Sequence, residues 1–192
     1  MAWKFAVPMA VMLLVSNLMA QSAEMADTNK ASTKIGQFMS GNSVLKEKQE
    51  FKLGKIGGTG KVELYAVKSY RPGQGDTLRG IKFVVTESGQ YGSTDIALLD
   101  IEEVQDLIEA LKYLVEMSSN QANNVGKDFA RSAFFTSRDN LTVGYDPTGS
   151  SLLANGFCSA GRFDRSTMYM TEDNYEKMIT MVTDGLLILG TK

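Results

Sequence analysis

Few groups in this sequence could carry out covalent chemistry, and their spacing does not assemble them. Histidine is absent throughout. Ser-His-Asp and Cys-His nucleophilic catalysis and the usual zinc sites need an imidazole that titrates near neutral pH, so the sequence excludes these classes. Hydrolysis by paired carboxylates or by a lysine-activated serine remains open, and Glu63, Glu87 and Asp95 are the acids it would use, facing one another in a deep pocket. Cys158 is the single cysteine, so no internal disulfide can form. Its setting, "NGFCSAGRF", reads as a strand in which the thiol acts as a small buried apolar group. The run "GKIGGTGK" (54–61) imitates a phosphate-binding loop. Five residues before Gly60 stands Lys55, where glycine is required, and Val62 replaces the Ser or Thr after the lysine. It is therefore a glycine-rich hairpin turn. These observations lean against an enzyme and imply no catalytic residue, no metal site and no cofactor.

Charge is the remaining chemical signal. Between Phe51 and Val85 seven cations (Lys52, Lys55, Lys61, Lys68, Arg71, Arg79, Lys82) face two anions, Glu63 and Asp76, for a net 7 − 2 = +5. Between Asp100 and Met117 six anions stand against Lys112, for a net 1 − 6 = −5. A helix covering one side of a sheet would leave the other side basic, with Tyr65 and Tyr70 among the cations. Single-stranded nucleic acid uses such a surface, because phosphates attract cations and unpaired bases stack on rings. The ordinary alternative is a polar strand face and an acidic helix that keep each other in solution. The corresponding region of the second half is nearly neutral.

The elements that position these residues follow from periodicity. Ile101, Val104, Leu107, Ile108, Leu111, Leu114 and Val115 trace one helix face. Asp100 is a suitable N-cap, and Glu103 can close a capping box. Shifting the numbering by 171 − 100 = 71 residues brings Thr171 onto Asp100 and the helix-face residues Tyr175, Met178, Ile179, Val182 and Leu186 onto the first pattern. Four strand-like segments precede each helix: "EFKLGKI", "KVELYAV", "RGIKFVV" and "DIALL", then "SAFFTSR", "NLTVGYD", "LANGFCS" and "TMYM". The order strand-strand-strand-strand-helix, read twice, predicts an α+β fold of two tandem repeats, with antiparallel sheets packed against two amphipathic helices. "SRDN" (137–140) is a short hairpin loop, which exposes the Asn140-Leu141-Thr142 glycosylation sequon; this matters only in a eukaryotic source.

The N-terminus resembles an export signal. Lys4 precedes the apolar run "FAVPMAVMLLV", and "MAQSA" offers a small-x-small cleavage site after Ser22. The apolar run is shorter than the ~20 residues needed to cross a bilayer. The expected organisation is a signal peptide over 1–22, a flexible leader over 23–46, and repeats over 47–120 and 127–192 that form one domain. The balance of 20 basic and 22 acidic residues becomes 19 − 22 = −3 once Lys4 is removed, which names no partner.

At "LRGIKFVVTESGQYGSTDIALLDIEEVQDLIEALKYLVE" (78–116) the chain resembles whirly-type and PUR-type repeats. The resemblance implies four strands and a helix, doubled, with single-stranded nucleic acid bound on the sheet face by Tyr65, Lys68, Arg71, Arg79 and Lys82. The export signal, the acidic balance and the neutral second half depart from that pattern. The expectation is an exported (periplasmic or secreted), non-catalytic binding or structural protein, with a protein or envelope component as partner. The alternatives are a single-stranded nucleic-acid-binding protein and, third, an envelope enzyme without histidine.

Overall fold

The computed structural model describes residues 33–42, 45–89, 92–120, 130–148, 155–162 and 165–190. The expected signal peptide and most of the expected leader lie outside these residues. Strands β1 (Glu47–Gly57), β2 (Gly60–Tyr70), β3 (Thr77–Glu87) and β4 (Thr94–Asp100) form one antiparallel sheet in sequence order. Strands β5 (Ala133–Thr136), β6 (Leu141–Tyr145), β7 (Gly156–Ala160) and β8 (Ser166–Met170) form a second. Helix α1 (Lys34–Ser40) precedes the first sheet, while α2 (Ile101–Ser119) and α3 (Glu172–Leu189) each follow the last strand of a sheet. The α+β architecture is the one the sequence predicts, and "GKIGGTGK" indeed turns the chain between β1 and β2.

Alternation decides which side of each strand is inside. Val62, Leu64 and Ala66 of β2, Ile81, Phe83 and Val85 of β3, and Leu141, Val143 and Tyr145 of β6 are buried in one shared core. Both long helices carry reciprocal capping boxes, Asp100 with Glu103 and Thr171 with Asn174, again 174 − 103 = 71 residues apart. These boxes satisfy backbone N–H groups that a first helical turn leaves unpaired.

The two repeats are interleaved. Helix α3 lies over β1, β2 and β3 of the first sheet, where Gly185 sits so close that an added Cβ would come within 2.7 Å of Ile81 Cδ1. Helix α2 packs on α3 and on β5 and β6 of the second sheet. The hairpin turns cross over as well. Leu98 N on β4 donates to Asp139 Oδ2 in the β5–β6 turn at 2.8 Å. Tyr169 N on β8 donates to Thr59 Oγ1 in the β1–β2 turn at 3.0 Å. Leu98 and Tyr169 are again 169 − 98 = 71 residues apart, so each repeat blocks the other's last strand at the equivalent residue.

The 71-residue offset does not extend upstream of these strands. Following the ladders sideways gives Leu99–Ile81–Ala66–Phe51 in the first sheet and Met170–Gly156–Tyr145–Ala133 in the second. The offsets grow from 170 − 99 = 71 through 156 − 81 = 75 and 145 − 66 = 79 to 133 − 51 = 82. Each hairpin of the second repeat is three or four residues shorter.

One expectation needs correction. Part of the segment expected as a flexible leader is helix α1. Thr33 caps it, with Gly36 N donating to Thr33 Oγ1 at 3.2 Å. The Asp100 carboxylate accepts Lys34 N at 2.8 Å and Ile35 N at 3.0 Å, and the Ile35 side chain is fully buried. Seven residues with one large buried apolar side chain show no helical period. This helix is held by a distant carboxylate.

Candidate functional site

Because helices fill the inner sides of both sheets, the side chains of opposite alternation point outward, and the ladder registers arrange them in rows. The central outer row of the first sheet is Lys52–Tyr65–Lys82–Leu98. Its equivalent in the second sheet, at the same offsets of 82, 79, 75 and 71, is Phe134–Gly144–Phe157–Tyr169. The repeats thus present two different chemistries at one structural position.

The row in the first sheet is cationic. Lys82 Nζ stands 4.2 Å and Lys52 Nζ 5.8 Å from the Tyr65 ring centroid, within cation–π range. Glu50 pairs with Lys82 at 2.8 Å and Lys48 at 2.9 Å, and Glu63 pairs with Lys52 at 2.7 Å and Lys61 at 2.9 Å. The hydrogen bond from Lys52, then that from Lys61, holds the Glu63 carboxyl down at about 2. Burial works to raise the Glu50 carboxyl, but hydrogen bonds from Lys82 and Lys48 outweigh it and leave it below its ordinary value. By alternation Lys48, Lys52, Lys55, Lys61 and Lys82 share the face with Glu50, Glu63 and Asp100, a net 5 − 3 = +2.

Of the five residues expected to form one basic face, Tyr65 and Lys82 lie side by side in this row. Lys68 and Arg79 are paired with each other across β2 and β3, but alternation puts them on the reverse side, where Lys68 Nζ stands 5.7 Å from the Phe51 ring. Arg79 also lines a recess of about 250 Å³ with Lys34, Asp100 and Glu102. Arg71 follows β2 and stacks on Phe38 of α1 at 5.7 Å. The five are therefore divided between two sides of the sheet and a turn.

The row in the second sheet is aromatic. Phe134 is 69% exposed, while Phe157 and Tyr169 are half-buried. Gly144 leaves bare backbone between the rings. A Cβ there would come within 2.7 Å of Phe157 Cζ and 2.8 Å of Phe134 Cβ, so only glycine lets Phe157 lean across the strand. The neighbouring row is Thr136–Thr142–Ser159–Thr167, a hydroxyl on every strand. Phe134 and Phe157 of the aromatic row and Thr136 and Thr142 of the hydroxyl row border a trough of about 300 Å³, which Ser132, Tyr145 and Asp146 also line. Asp146 Oδ1 accepts from Thr148 N at 2.9 Å and Thr148 Oγ1 at 2.6 Å. The Tyr145 hydroxyl is the buried side-chain polar atom left without a hydrogen-bond partner among the described residues.

The carboxylates considered for hydrolysis do not meet. Glu63 is held by lysines on the outer face, and Glu87 ends β3 in the open. Asp95 lies on the opposite side, where the Arg165 hydrogen bond, aided by Ser166, holds its carboxyl below the ordinary value. Cys158 is fully buried in β7, and burial pushes its thiol up to about 12. No protein-family model matches this chain, and no curated protein is detectably similar to it.

Proposed function

We propose that this chain is an exported, non-catalytic binding protein that carries its ligands on the outer faces of its sheets. The observation that supports this is the pair of equivalent central rows, Lys52–Tyr65–Lys82–Leu98 and Phe134–Gly144–Phe157–Tyr169. Aromatic rings in the middle of a solvent-facing sheet contribute nothing to a core that is already filled from the other side. Ligand contact is one use of rings in that position.

A second reading, single-stranded nucleic acid bound to the first sheet, draws support from the net +2 of that face and from Tyr65. Against it, both flanking lysines already stand over the Tyr65 ring and are paired with glutamates. The experiment that separates the readings is fluorescence anisotropy of a labelled single-stranded oligonucleotide at several salt concentrations. It is paired with N-terminal mass analysis of the protein recovered outside the cytoplasm. A mature start at Ala23 with flat anisotropy supports the exported binding protein. Binding that falls steeply with salt and again in Lys82→Gln supports the nucleic-acid reading. A full-length chain retained in the cytoplasm sinks the export proposal.

A further inference from the structure

We infer that the trough on the second sheet is a binding site for an uncharged glycan chain. The inference rests on the binding-protein reading and gives that surface a ligand class.

The argument starts from what the site offers. A pyranose ring has a face of C–H groups that lies flat on an aromatic side chain and an equator of hydroxyls that needs hydrogen-bond partners. The trough supplies both in adjacent rows. Phe134 is open to solvent, and Phe157 extends the platform over Gly144. One ladder step away stand Thr136 and Thr142, whose hydroxyl oxygens are 3.4 Å apart, where either can donate. Ser132 and Asp146 close the other side. A hydroxyl both donates and accepts, so this lining matches the mixed donor and acceptor pattern of a sugar more closely than a purely apolar partner. The volume, about 300 Å³, lies at the small end of the range for ligand sites.

Charge then selects among stackable ligands. The trough lining holds one carboxylate, Asp146, and no cation. A nucleic-acid strand tracks a positive groove while its bases stack, and Asp146 would repel its phosphates. Lys52 and Lys82 stand instead in the equivalent row, on the outer face of the other sheet. A neutral ligand is what remains.

The test is calorimetric titration of the purified protein with two neutral oligosaccharides, cellohexaose and chitohexaose, at low and high salt. The variants are Phe134→Ala, Thr142→Val and, on the other sheet, Lys82→Gln. Phe134 is exposed, so its truncation leaves the fold intact, which circular dichroism checks. The expected result is saturable binding of at least one oligosaccharide, insensitive to salt, weakened about tenfold or more by Phe134→Ala, weakened by Thr142→Val, and weakened far more by Phe134→Ala than by Lys82→Gln. Binding lost in Lys82→Gln but kept in Phe134→Ala would overturn the trough assignment and leave the binding-protein reading standing. Salt-sensitive oligonucleotide binding abolished by Phe134→Ala would give the face to nucleic acid. A dimer in sedimentation that Phe134→Ala dissolves would give it to a second copy of this chain. No heat from either oligosaccharide at millimolar concentration, with the protein monomeric and oligonucleotide anisotropy flat, would overturn the glycan inference and leave the wider binding reading standing.

Discussion

Replacing Asp100 by alanine should destabilise this protein far more than replacing Thr171, although both residues cap equivalent helices. Thr171 does one job. Its capping box with Asn174 is worth about 1 kcal/mol, the usual cost of losing an N-cap. Asp100 does the same for α2 and also accepts the first two backbone amides of α1, at 2.8 and 3.0 Å, from a site where it is only 3% exposed. A hydrogen bond to a charged group contributes roughly 1.5 to 3 kcal/mol, and an amide left buried without a partner costs about as much. The Ile35 amide is buried and counts in full, whereas the Lys34 amide has partial access to water and counts for less. The ion pair with Arg138 at 3.2 Å adds little, because that side chain is 44% exposed. The sum for Asp100→Ala is about 3 to 5 kcal/mol. In urea, with a slope of about 2 kcal/mol per molar, the midpoint should fall by about 1.5 to 2.5 M. Thr171→Ala should move it by about 0.5 M. Hydrogen exchange supplies the local readout, since the Ile35 amide should lose its protection in Asp100→Ala and keep it in Thr171→Ala. Equal midpoints for the two variants, or an Ile35 amide that stays protected without the carboxylate, would refute the account of Asp100 as the residue that docks α1.

Three further outcomes are expected. Cys158, fully buried with its thiol raised to about 12, should resist iodoacetamide in the native protein and react only at the rate of unfolding; fast labelling without denaturant would contradict its placement. Glu63 is held at about 2 by Lys52 and then Lys61, below the ordinary glutamate value of about 4.3. Its contribution to stability is therefore complete above the ordinary value and lost as pH falls towards 2. Carboxyl NMR should give a titration midpoint near 2 that rises in Lys52→Gln, and a midpoint at the ordinary value would remove the ion pairs from the account. Gly156→Ala and Gly185→Ala should part company in thermal melts. At Gly156 a Cβ would meet the Met170 carbonyl oxygen at 2.6 Å and the Tyr175 hydroxyl at 2.2 Å, whereas at Gly185 it meets the mobile ends of Ile81 and Leu53. The first should therefore cost several kcal/mol, and the second should be offset in part by the ~1 kcal/mol that alanine gains over glycine within a helix.

The last strand and helix of each repeat were legible because their signals are local. Asp100 and Thr171 head helices with a regular apolar stripe, and the strand before each keeps the same 71-residue offset. Upstream the offset drifts to 75, 79 and 82 as the hairpins shorten, so no single shift of the sequence aligns the remaining strands. That drift also hid the aromatic row. Phe134, Phe157 and Tyr169 are scattered along the chain and fall into line only through the registers β5–β6, β6–β7 and β7–β8. A count of charges from Phe51 onward likewise joined residues that strand alternation separates. Lys68 and Arg79 point away from Tyr65 and Lys82, and Glu50, which pairs with Lys82, stands one residue before the count began. Helix α1 was illegible for a different reason. What holds it is Asp100, 66 residues beyond Lys34.

The interleaving explains how two equivalent rows came to differ so much. Each long helix buries its apolar stripe partly on the sheet of the other repeat, and each first hairpin caps the last strand of the other at Leu98 or Tyr169. The inner residues are therefore constrained by both repeats at once. A change at Ile81 is felt by Gly185 in α3, and a change at Gly144, whose carbonyl accepts the Tyr175 hydroxyl at 2.6 Å, is felt in the same helix. The outward residues of the central rows are exempt from most of these constraints. Lys52, Lys82, Phe134 and Phe157 touch their row neighbours, the glutamates of the same face and solvent, so substitution there changes the surface at little cost to the core. Gly144 is the exception and the most telling position. Its equivalent is Tyr65, and the loss of a side chain there is what lets Phe157 lie across the strand and open the trough to Phe134. One sheet has a ring at the centre with cations around it, and the other has a glycine at the centre with rings around it. Stability alone gives no reason for Gly144, because a glycine inside a strand weakens it, whereas the proposed binding surface does.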